Sequence, residues 1–199
     1  VALYVGGLAA LVFASDVFTG LLPTQEALLV IQFVGVLGAA LVYSFIMGGR
    51  RAPWPDLDRI GFTPGQFALM ALAAVGLGLA ANAAMGLTVE LFPVFESLAE
   101  RYRESINELV LETEGMDRVL GTLAICVAAP VCEESLFRGT LLQEKRQLVR
   151  PSVAIALNGL LFSMFHINPI ALLPLAVVGA FLAHLIVLTD SLWAAILGH

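Results

Sequence analysis

Charge is what this sequence has least of. Only 13% of its 199 residues are Asp, Glu, Lys or Arg, against about 25% in an ordinary soluble domain. With 59% apolar residues and a mean hydropathy of +0.92, too little polar surface remains to cover a fold in water. That excludes a soluble enzyme and a disordered segment. Basic charge is scarcer than acidic: ten Lys and Arg against sixteen Asp and Glu leave a net charge of −6, which excludes a nucleic-acid partner. Cysteine is nearly absent. Cys126 and Cys132 stand six residues apart in one apolar run; that is neither a disulfide framework nor a C-x-x-C metal or redox pair, and both read as small packing residues. No basic leading region of a signal peptide is seen. The chain starts at Val1 and stops at His199 inside an apolar stretch, so both ends read as truncated.

Long apolar runs are abundant, and a spanning helix needs about 20 such residues. Val1–Leu22, Ala27–Met47, Gln66–Leu91, Arg118–Leu142, Pro151–Ile167 and Ile170–Leu188 qualify, and Trp193 opens a seventh. The expected fold is all-α: a polytopic transmembrane helix bundle of about seven spans, the last one truncated. Asn168-Pro169 breaks what would otherwise be one continuous helix. The basic loops Gly48–Ile60 and Gln143–Arg150 belong on the cytoplasmic face by the positive-inside rule, as in a prokaryotic plasma membrane. Between them, Glu90–Arg118 carries eight acids and three bases. Phe95, Leu98, Tyr102, Ile106 and Leu109 recur there at helical spacing beside a stripe of glutamates, which reads as the solvated face of an interfacial helix over about 93–117. The chain divides by this reading into 1–117, the N-terminal spans with their acidic segment, and 118–199.

Ionisable groups inside a span cost about 2.5–3.5 kcal/mol each on insertion scales. Glu133, Glu134 and Arg138 fall within six residues of one run. Glu134 and Arg138, four apart with the acid first, suit an intrahelical ion pair. Glu133 points about 100° away from that pair, and a carboxylate so placed suits general-base work on water. Histidine adds a second group. The turn between the fourth and fifth spans falls near Val149-Arg150-Pro151, so Glu133 and His166 stand at about the same depth, roughly 25 Å of helix from the tip. His184 reads as a packing or hydrogen-bonding histidine. His199 re-enters the apolar region after Asp190.

These residues together resemble the CPBP family: the type II membrane CAAX prenyl proteases and their bacterial Abi or bacteriocin-processing relatives. E-E-x-x-x-R stands as Glu133-Glu134…Arg138, and F-x-x-x-H as Phe162…His166 followed by Asn168-Pro169. The opening of H-x-x-x-N is Ser191-Leu192-Trp193 leading to His199, whose asparagine would fall four residues past the last one. The resemblance covers roughly Arg118–His199. It implies hydrolysis of a peptide bond in a membrane-bound peptide or protein, prenylated or not, within the lipid bilayer. Glu133 would activate the attacking water, His166 would assist or orient it, and His199 would stabilise the oxyanion. Glu134 with Arg138 would hold the helix in register. A catalytic zinc on Glu133, His166 and His199 would suit this chemistry, although no H-E-x-x-H pair is present; a metal-independent glutamate mechanism fits equally. Other readings are a transporter or proton relay through Glu133, His166 and Arg138, and a non-catalytic self-immunity scaffold. A serine protease on Ser163, or an aspartyl protease on Asp16 and Asp190, lacks the sequence setting of either class.

Overall fold

The computed structural model describes residues 24–38, 40–41, 60–108 and 112–199. Among these the regular structure is helical, with no β-strand. Helix α1, Thr24–Val30, continues as a π-helical stretch over Ile31–Leu37. Then follow α2 (Pro64–Leu91), α3 (Glu96–Ile106), α4 (Gly115–Leu148), α5 (Pro151–Phe165), α6 (Leu172–Thr189) and α7 (Leu192–Gly198). Three of them, α2, α4 and α6, are long and apolar enough to cross a membrane. The expected span Val1–Leu22 and nearly all of the basic loop Gly48–Ile60 lie outside the described residues, as does Leu109.

The helix boundaries have local causes. α2 begins two residues before the expected Gln66 because Thr63 and Gln66 form a reciprocal cap. The Thr63 hydroxyl accepts from the Gln66 N–H at 3.3 Å, and the Gln66 side chain accepts from the Thr63 N–H at 2.8 Å. α4 runs six residues beyond the expected Leu142, so the basic segment is a helix end and not an open loop. Cations are favourable in a last turn, where the helix dipole is negative. The helix stops where Pro151 pushes Arg150 out of the helical region, to φ −59° and ψ 146°. At the far end of α5 the chain turns through Ile167, at φ +49°. The Asn168 side chain then accepts from the backbone N–H groups of Ile170 and Ala171 at 3.1 and 3.4 Å, a side-chain-closed turn of the kind asparagine makes before proline. Of the acidic segment expected as a helix over about 93–117, α3 forms Glu96–Ile106 and buries none of its residues, and residues 112–114 are not helical.

The chain forms two compact units. The first takes the described residues of Val1–Gly48 and Glu100–Leu136. In it α1 packs on the first part of α4 through the buried, mostly small Ala27, Val36, Ala124, Ala128 and Cys132. Lipid tails are as apolar as leucine, so helices gain from close contact more than from burial, and small residues allow it. The second unit takes the described residues of Gly49–Ala99 and Phe137–His199. Its core is Leu142, Ala154, Leu182, Ala183, Leu185, Ile186, Leu192, Ala194 and Ala195. α5 and α6 cross at Gly159 and Gly179. A Cβ on Gly179 would lie 2.9 Å from Phe162 Cδ1 and 3.1 Å from the Gly159 Cα; one on Gly159 would strike the Ala176 carbonyl. α2 lies along α6 and α7 and buries no residue.

Candidate active site

In the first unit, Glu133 and Glu134 end an α-helical turn of α4, Ala129–Glu134, that starts with Pro130 near its N-terminus. Both carboxylates are buried. Beyond them the helix changes its winding: Ser135–Leu141 is π-helical, with hydrogen bonds reaching one residue further than in an α-helix. Ser135 donates its hydroxyl to the Val131 carbonyl at 2.7 Å, which keeps this small polar side chain on its own helix.

The second unit gathers the remaining three expected site residues around one ring, that of Phe162. The Arg138 guanidinium carbon lies 4.5 Å from its centroid. The His166 ring stands 4.7 Å away at 60°, and the His199 ring 5.7 Å away at 78°. Phe137 supports the same ring edge-on at 5.2 Å. Spacing accounts for half of this: Phe162 and His166 are one helical turn apart on α5. The other half comes from α7, which carries His199 back to that ring. His166 Nδ1 lies 2.8 Å from the Phe162 carbonyl oxygen. A carbonyl can only accept, so in the neutral imidazole the proton belongs on Nδ1 and the lone pair on Nε2. Arg138 is fully buried, and its Nη2 donates to the Gly179 carbonyl at 2.8 Å. A cation held over an aromatic face and by a carbonyl is a fixed positive centre away from water.

Other singled-out residues fall elsewhere. His184 is exposed on α6. Ser163 is buried and donates its hydroxyl to the Leu160 carbonyl at 3.0 Å, an ordinary helix back-bond. Asp190 is exposed and pairs with Arg146 at 3.5 Å. Cys126 and Cys132 are both free thiols. Among the described residues, no group of three or more His, Cys, Asp or Glu side chains is arranged to hold a metal ion.

Two residues absent from the expected site emerge beside it. Asn158, one turn before Phe162, is fully buried and donates to the Phe137 carbonyl at 2.8 Å. Gln143, also buried, donates to the Arg138 carbonyl at 3.0 Å. The signal for Asn158 was present in the sequence, as a lone amide in an apolar run. Gln143 carried none, because it opens a polar segment.

Residues 115–199, which hold Glu133, Glu134, Arg138, His166 and His199, match a protein family described as Type II CAAX prenyl endopeptidase Rce1-like. Neither a curated protein nor a solved structure gives a significant match to the chain.

Proposed function

Taking the Rce1-like family of type II CAAX prenyl endopeptidases, matched over residues 115–199, as premise, we propose that this integral membrane protein is an intramembrane endopeptidase. It cuts a peptide bond of a membrane-bound peptide or protein, of CAAX type or in peptide processing, in a prokaryotic plasma membrane. Glu133 is the general base. Its carboxylate takes a proton from a water whose oxygen attacks the scissile carbonyl carbon. His166 orients that water through Nε2, and His199 donates to the oxyanion of the tetrahedral intermediate. The carbon–nitrogen bond then breaks, and the proton held by Glu133 passes to the leaving amine. Arg138, with Glu134, keeps the helix in register. The reading rests mainly on the convergence of Arg138, His166 and His199 on Phe162. A buried guanidinium is costly for packing alone, and the two imidazoles on the same ring are exposed, which suits groups that must meet a substrate.

The test is cleavage of a synthetic peptide anchored in proteoliposomes, with and without a C-terminal prenyl-cysteine, by the purified full chain. Glu133→Gln and His166→Ala are each expected to lower turnover by about 10²–10⁴-fold with thermal unfolding unchanged. Normal turnover by Glu133→Gln would falsify the water-activation role. Turnover that survives chelators supports the glutamate mechanism; turnover lost to them and restored by zinc assigns Glu133, His166 and His199 as zinc ligands. Proton uptake into sealed vesicles that depends on the same residues, without cleavage, moves the assignment to a transporter.

A further inference from the structure

Within Ser135–Leu141 two consecutive carbonyls are engaged by side-chain amides. The Phe137 oxygen accepts from Asn158 Nδ2 at 2.8 Å, and the Arg138 oxygen accepts from Gln143 Nε2 at 3.0 Å. π-helical winding, present also at Ile31–Leu37 and Ala124–Ala128, shifts carbonyls out of the regular ladder. An amide that meets such a carbonyl from the side stabilises the wider turn against reversion to α.

Asn158 does this at evident expense. It is fully buried on an apolar helix, and its Oδ1, also buried, has no hydrogen-bond partner among the described residues. A side chain present only for packing would be a leucine of similar size; an amide that leaves its acceptor orphaned is kept for its donor. The donor ties α5 to the backbone of Phe137. From there two rigid contacts lead to the site: the Phe137 ring against Phe162 at 5.2 Å, and the next residue's guanidinium over that ring. Gly179 lies close against the same side chain: a Cβ there would stand 2.9 Å from the ring carbon Cδ1 of Phe162.

We propose that Asn158 is a positioning residue for the reaction: with Gln143 it holds the π-helical turn of α4 in place and so sets the ring of Phe162 that carries Arg138, His166 and His199. This rests on the peptidase reading of the same site.

The test uses the purified full chain in lipid nanodiscs, with Asn158→Leu, Asn158→Asp and Gln143→Leu. Two quantities are read: steady-state cleavage of the anchored peptide, and the 15N imidazole signals, assigned by single His→Gln variants. For both Asn158 variants kcat is expected to fall about 10–100-fold, the scale of a small misplacement of reacting groups, while KM stays within about twofold. The His166 and His199 signals are expected to shift while that of His184 stays. Gln143→Leu is expected to act in the same direction and serves if neither Asn158 variant folds. A folded variant with wild-type kcat overturns the proposal, whatever its thermal stability. If the unaltered protein cleaves nothing, the peptidase reading has failed separately and the imidazole signals decide: shifted His166 and His199 support the positioning role, and unmoved signals overturn it.

Discussion

At Phe162 one aromatic face meets a guanidinium, and its edges meet two imidazoles. A desolvated cation–π contact contributes about 2 kcal/mol, so the ring fixes the charge as well as filling space. The residue that follows His166 is under strain. Ile167 sits at φ +49°, in the left-handed region that costs an L-residue about 1–2 kcal/mol and a β-branched one most of all. Ile167→Gly is therefore expected to raise the unfolding midpoint in detergent by about 2–4 °C, with Ile167→Val unchanged. A fall in the midpoint on Ile167→Gly would mean that the exposed side chain makes a stabilising contact that outweighs the strain. The His166 motif was readable because its spacing is one helical turn. The strain beside it was not, since nothing in an Ile-Asn-Pro string announces which residue takes the positive φ.

At the level of helices, apolar runs and their breaks were enough to place α2, α4 and α6, the turn at Val149–Arg150 and the break at Asn168-Pro169, but not the ends of α4, which runs from Gly115 to Leu148. The change of winding inside α4 was illegible. Bonding to the fourth or the fifth residue leaves nearly the same pattern along Ser135–Leu141, and of the two supporting amides Asn158 lies on another helix. Nor could composition separate two kinds of glycine. Gly159 and Gly179 stand where α5 and α6 touch, whereas a Cβ on Gly76 or Gly78 of α2 would have none of the described residues within 4 Å. Gly159→Ala and Gly179→Ala are expected to destabilise by about 1–3 kcal/mol through overpacking. Gly76→Ala and Gly78→Ala are expected to be neutral or to gain up to about 1 kcal/mol of helix propensity. Equal losses at all four positions, measured by thermal unfolding in one detergent, would refute this division.

For the molecule as a whole, the lengths of its helices have to be reconciled with one bilayer. At 1.5 Å per residue, the 28 residues of α2 reach about 42 Å and the 15 of α5 about 22 Å, against a hydrocarbon layer of about 30 Å. The longer rod can lean; α5, shorter than the helices long enough to cross, would need the lipid to thin around it in order to span. Cleavage by the full chain is accordingly expected to run faster in vesicles of 14-carbon acyl chains than in those of 22-carbon chains, at equal substrate density. The opposite order would show that the short helix imposes no local thinning. His166 caps the end of this stubby helix. A dimple in the membrane at that point would bring the wet side down to the imidazole, supplying the water that the proposed cleavage consumes.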